Sequence, residues 1–159
     1  MKKLALAVFV VAAGTAAPSF AQGLFVDVGA GRGKVSVEGF SDTKTAYAAR
    51  LGSRFHPNFA VDVGYYDFGK HDDIRFSSWA ASLVAMAPID AFDIYGRIGY
   101  ARTEARVSGG EKAHKNTALW GAGARYMFNP QLGVYVEYVY QKPENTKLDA
   151  WMAGVQFRF

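Results

Sequence analysis

From Gln22 to the carboxyl terminus, apolar residues recur at every second position, in segments of about ten residues broken by Gly, Pro, Asn, Asp and Ser. Alternation sends successive side chains to opposite faces of an extended chain, so each segment reads as a strand with one apolar and one polar face. Eight such strands are expected near residues 23–33, 45–55, 59–68, 75–87, 93–105, 116–128, 132–140 and 149–159. Strands of soluble sandwiches usually have about five or six residues. A tilted strand that crosses a bilayer needs about 9–11.

The breaks between segments are of two kinds. Pro57, Pro88 and Pro130 mark short turns, at 56–58, 88–90 and 129–131. The other connections, residues 34–44, 68–74, 106–115 and 141–148, are longer, polar and rich in glycine or charge. Tight turns alternating with longer loops fit an all-β, eight-stranded antiparallel up-and-down barrel.

Facing decides what surrounds the barrel. In the last strand one parity carries Trp151, Ala153, Val155, Phe157 and Phe159, and the other Met152, Gly154, Gln156 and Arg158. The sixth strand sets Ala118, Trp120, Ala122, Ala124, Tyr126 and Phe128 against Gly121, Gly123 and Arg125. The interior of an eight-stranded cylinder is only wide enough for side chains to fill it. The aromatic parity therefore needs the outside and the glycine parity suits the inside, which is the transmembrane arrangement. Trp79, Trp120 and Trp151 collect at one end of the cylinder, and Phe55, Phe59, Phe92, Phe128, Phe157 and Phe159 at the other, as two interfacial girdles.

The amino terminus supplies a route to such a membrane. Lys2 and Lys3 precede an apolar run over residues 4–13, and Ser19-Phe20-Ala21 places small residues at −3 and −1. Residues 1–21 read as a cleaved signal peptide and 22–159 as the barrel domain. There is no cysteine, so neither disulfides nor thiolate metal sites enter. Removing Lys2 and Lys3 from the 18 basic residues leaves 16 against 14 acidic ones, which argues against nucleic acid as a partner.

The carboxyl-terminal strand, with Phe159 preceded at every second place by Phe157, Val155 and Ala153, and the proline-marked turns resemble the small barrels of Gram-negative outer membranes. That group includes the OmpA transmembrane domain, OmpX and the Ail-type proteins. The resemblance implies tight turns in the periplasm, loops outside the cell, and recognition of Phe157 and Phe159 by the barrel-assembly machinery. It implies no cofactor.

Inward parity collects Asp27, Arg50, Arg54, Asp62, Arg97, Arg125, Glu137 and Arg158. Charges in so narrow a cylinder must pair or be hydrated, so a salt-bridged core is expected, with a narrow anion-leaning channel as the alternative. The run 29–34 (Gly-Ala-Gly-Arg-Gly-Lys) lacks phosphate-loop spacing and a following helix, and reads as inward glycines. A lipid A-modifying enzyme would need a triad, for which His71 with Asp72 or Asp73 and Ser108 is the one candidate; His56 and His114 stand apart. All seven lysines after the signal peptide lie in or beside the long loops. Loops of about seven to eleven residues build a shallow rim and no separate domain. Lys70, Lys112 and Lys115, with Phe40 and Phe68, are its expected contacts to lipopolysaccharide or to a host or cell-surface polyanion. Such a non-catalytic surface role, in the outer membrane and its lipid, is the leading expectation.

Deleting Phe159 is expected to reduce insertion into the outer membrane and to leave the chain open to periplasmic proteolysis. An unchanged yield of heat-modifiable, membrane-inserted protein would contradict this.

Overall fold

The structure, a computed structural model, describes residues 23–37, 40–71, 74–107, 112–143 and 146–159. Eight strands follow one another: β1 Leu24–Val37, β2 Phe40–His56, β3 Phe59–His71, β4 Ile74–Ile89, β5 Phe92–Val107, β6 Lys112–Met127, β7 Leu132–Gln141 and β8 Lys147–Arg158. Each is antiparallel to its sequence neighbour, and β1 also pairs with β8, so the sheet closes into a barrel. Closure leaves no strand edge, and hydrocarbon demands that, because it cannot hydrogen-bond an unpaired N–H or C=O.

The strands run further into the expected loops than alternation indicates. Residues 34–37 pair with 40–43, and 102–106 with 112–116. Above the membrane both faces of a hairpin are free to be polar, so the period-two signal fades while the backbone ladder continues to satisfy its own donors and acceptors. Only two residues then separate β1 from β2 and β3 from β4, and four separate β5 from β6. The connections are shorter than the seven to eleven residues expected.

At the other end one turn is displaced. Pro88 and Ile89 belong to β4, with Pro88 opposite Asp93, and the turn itself is Asp90-Ala91, with Asp90 at φ 54°. Asp tolerates this left-handed conformation better than most residues, and proline fits at a strand end where no ladder donor is required. In the β6–β7 turn the Asn129 side-chain oxygen accepts from the backbone N–H of Gln131 (2.9 Å) and Leu132 (2.8 Å). Phe159 continues the closure, its N–H donating to the Leu24 carbonyl at 3.0 Å.

The outer face is an apolar belt. Trp79, Trp120 and Trp151 are 66%, 54% and 65% exposed at the loop end, and Phe55, Phe59, Phe92, Phe128 and Phe157 are exposed at the turn end. Between them lie Val28, Leu51, Val63, Leu83, Ile98, Val136 and Val155, all pointing outward.

The interior is filled in successive tiers. Near the turns Phe25, Ala60, Val84, Met86 and Tyr95 form a small apolar cluster. The middle tier is charged and is built around Arg50, Arg97 and Glu137. The tier at the level of the tryptophans is apolar, made by Val35, Phe68, Leu119, Val139, Leu148 and Met152 among others, with Gln141 hydrogen-bonded to Ser78 (3.1 Å) and Thr103 (3.2 Å) beside it. An inner face of glycine and polar residues was expected, and this apolar tier corrects that for the loop end. Glycine makes room where the middle tier is most crowded: a Cβ at Gly64 would meet Arg50 Cγ at 2.5 Å, and one at Gly121 would meet Arg97 Cγ at 2.8 Å.

Side chains occupy every level of this lumen, so purified barrels are expected to show little or no steady conductance in a planar bilayer, with anion preference in any residual current. A stable, large, cation-selective channel would overturn this account of the interior.

Candidate functional site

The charged tier is a network of guanidiniums and carboxylates brought together from five strands, with an amide from a sixth. Arg50 on β2 donates to Glu137 on β7 at 2.5 Å and lies 3.3 Å from Asp27 on β1. Arg97 on β5 reaches the other oxygen of Glu137 at 3.1 Å, Asp62 on β3 at 3.2 Å and the Tyr66 hydroxyl at 2.9 Å. The Tyr95 hydroxyl donates to Glu137 at 2.8 Å, and Gln156 on β8 donates to Asp27 at 2.6 Å. Glu137 thus serves two arginines and a tyrosine while fully buried. Such saturation is what makes burial of charge tolerable.

Arg54, Arg125 and Arg158 stand apart from this network, at the turn end. All three gather on Asp93, at 3.6, 3.5 and 2.9 Å. The expected inner set omitted Asp93, which brings four carboxylates to the five arginines in place of three. Its parity with Tyr95 and Arg97 was the available signal, obscured by its position at the first residues of a strand beside a turn. Tyr66, Tyr95, Tyr135 and Gln156 were likewise absent from the expected set.

A second polar constellation lies outside the barrel, at and just above the tryptophan girdle. Register places Arg102 opposite Trp79, and Glu104 opposite both Ser77 and His114. Together with Tyr65 these residues line a cavity of about 380 Å³. Tyr65 and Trp79 pack with ring centres 5.2 Å apart, and His114 Nδ1 lies 3.9 Å from a Glu104 oxygen. Arg75 is clasped by Asp67 beside it, and Asp67 also accepts from the Gly69 N–H at 2.9 Å, where φ is +87°. Across the barrel Arg32 and Lys34 on β1 also face outward, next to Trp151 and Asp149 of β8.

These outward arginines lie outside the expected set, which held inward arginines and loop lysines. Arg102 shares parity with Ile98 and Tyr100, which was enough to place it outside. Of the expected rim residues, Lys115 is exposed on β6, while the side chains of Phe40, Lys70 and Lys112 lie outside the described residues. Phe68 is corrected: it is fully buried in the upper apolar tier, its ring 6.4 Å from that of Tyr66, because it stands two residues after Tyr66 on the inward face of β3. The proposed triad of His71, Asp72, Asp73 and Ser108 also falls outside the described side chains. His56 is exposed at a turn and accepts from the Asn58 N–H at 3.1 Å. Among the described residues no group of His, Asp or Glu has the arrangement of a metal site.

A family model described as an outer membrane protein beta-barrel domain matches residues 4–159. The attachment invasion locus protein of Yersinia pseudotuberculosis serotype I is 37% identical over 76 residues, and the match spans 41% of this chain and 41% of that protein. The crystal structure of Neisserial surface protein A superposes with a TM-score of 0.74 at 19% identity, covering 86% of this chain and 97% of that one. Ail from Yersinia pestis gives 0.65 at 20% identity, covering 86% and 99%. A second structure of Ail, in complex with the heparin analogue sucrose octasulfate, gives 0.59 at 19%, again covering 86% and 99%. At these identities the structural likeness is one of fold.

Removing the shared acid of the inner network leaves Arg50 and Arg97 buried without their common partner. Glu137→Ala is expected to destabilise the barrel by about 3–5 kcal/mol. Urea unfolding in micelles measures this, and a loss below about 1 kcal/mol would mean that water substitutes for the carboxylate.

Proposed function

The chain belongs to the outer membrane protein β-barrel domain family, and from that premise we propose that it is a non-catalytic surface protein whose outer rim holds the phosphorylated saccharide of lipopolysaccharide and related polyanions. In this reading the turns face the periplasm and the longer hairpins face out, residues 1–21 are removed on export, and Phe157 and Phe159 engage the barrel-assembly machinery.

The observation that carries the reading is the cavity beside Trp79. Tryptophan marks the depth at which hydrocarbon gives way to headgroups. At that depth Arg102 offers a planar fork that matches two oxygens of a phosphate, and its aliphatic stem lies along the apolar belt. Trp79 and Tyr65 present amphipathic rings to a sugar, and Ser77, Glu104 and His114 add hydrogen-bonding groups at the same level. Lys115, exposed on β6, extends the cationic rim above it. The complex of Ail with a heparin analogue supports a polyanion as the class of ligand. A filled lumen disfavours the channel alternative.

Arg102→Glu in barrels reconstituted with lipopolysaccharide is expected to weaken retention of the glycolipid about tenfold. Lys112→Glu with Lys115→Glu is expected to weaken soluble polyanion binding, with salt sensitivity that reflects screening beyond about 8 Å. Binding equal to the parent in both variants across a salt series would remove the rim from the function.

A further inference from the structure

Three guanidiniums share one carboxylate at the turn end of the lumen, and they do so unequally. Arg158 Nη2 makes a good contact with Asp93 at 2.9 Å, whereas Arg125 and Arg54 stand at 3.5 and 3.6 Å, long for charged hydrogen bonds. Arg158 also donates to the Gln156 side chain at 2.9 Å, and Arg54 to the Pro57 carbonyl at 2.5 Å. Arg125 is 3% exposed, its guanidinium lies 4.9 Å from the centre of the Tyr95 ring, and its Nε has no hydrogen-bond partner among the described residues. The side chains of this cluster carry three positive charges against one negative. His56 and Asp90, the other titratable side chains of the neighbouring turns, are exposed.

The cluster makes a cup of charge with one exposed side. Phe25, Met86 and Tyr95 close it toward the middle of the barrel. Arg54 and Arg158 are each about one-fifth exposed (20% and 22%) and form its mouth. The mouth opens at the level of Phe55, Phe128 and Phe157, where the headgroups of the nearer leaflet lie. Like charges crowded in a water-poor recess are costly unless a counter-ion joins them. The cluster has an excess of two positive charges, of which the tier above, with Asp27, Asp62 and Glu137 against Arg50 and Arg97, offsets one at longer range.

We infer that this cup binds a phosphate group entering from the turn end. A phosphate carries about 1.5 to 2 negative charges near neutral pH and has oxygens enough for three donors. It would offset the excess positive charge of the cluster and offer oxygens to the exposed guanidiniums of Arg54 and Arg158, whose present share of Asp93 is unequal. The group comes from one of two sources, dissolved phosphate or the headgroup of a phospholipid in the inner leaflet. The site is separate from the outer rim, and it takes from the proposed function only the orientation of the barrel.

The test is a titration of the whole barrel with inorganic phosphate, followed by amide NMR at constant ionic strength. It is run in a maltoside detergent, which has no phosphate of its own. Saturable shifts are expected at Asp93, Arg158 and the 57–58 turn. Arg54→Gln with Arg158→Gln is expected to weaken binding about tenfold or more. Asp93→Asn is expected to tighten it by a similar factor, because the competing carboxylate is gone; a purely structural Asp93 would lower stability without that gain. In phosphatidylcholine nanodiscs the response to added phosphate persists if dissolved phosphate is the ligand and disappears if the lipid already fills the cup. Absence of saturable shifts at the mouth in maltoside, which needs no variant to fold, overturns the inference, as does an Asp93→Asn barrel that binds no more tightly.

Discussion

The pairing of β1 with β8 is the constraint on which everything else rests. A sheet in hydrocarbon cannot end, since each orphaned N–H or C=O at an edge costs several kcal/mol. Once residues 25–36 and 147–158 are zipped together, as they are from Phe25 and Arg158 to Ser36 and Lys147, every strand has two neighbours and the inside and outside of the chain are defined. The belt of exposed valine, leucine and isoleucine is tolerable only because of this closure. It would aggregate on an open sheet in water.

A closed cylinder of eight strands is narrow, and its filling follows from that width. Side chains from opposite walls meet, so volume is shared: Gly64 yields to Arg50, and Gly121 to Arg97. Charges placed there have no bulk water to relax into and must find one another. Glu137 reaches Arg50, Arg97 and Tyr95 at once, which makes the middle tier a cross-brace between walls. At the turn end the same principle is only partly met, because three arginines converge on Asp93. That excess of positive charge distinguishes the mouth from the tier above it, where carboxylates outnumber guanidiniums.

Where the barrel leaves the hydrocarbon, the demands on its outer face change within a single strand. On β5, Ile94 and Ile98 face lipid, Tyr100 lies at the girdle, and Arg102 and Glu104 follow on the same face. Arg102 therefore stands beside Trp79 where lipid headgroups begin. Function at this rim needs no inserted domain. It needs only that the ladder continue past the membrane and carry polar side chains with it.

The amino-acid order by itself determined the number of strands, the direction each side chain takes, and the level of the two aromatic girdles. These are local properties: parity has period two, and the tight turns are marked by proline and asparagine. It also placed Arg50, Arg97 and Glu137 on the inner face. Which acid each arginine meets was decided by tertiary structure, since Arg50 and Glu137 lie 87 residues apart and Gln156 and Asp27 lie 129 apart. The same holds for the cavity that joins Tyr65, Trp79, Arg102 and His114 across four strands. Alternation specifies a face but not a neighbour. Neighbours are set by register and closure, and these arise only when the strands compete for one another's hydrogen bonds.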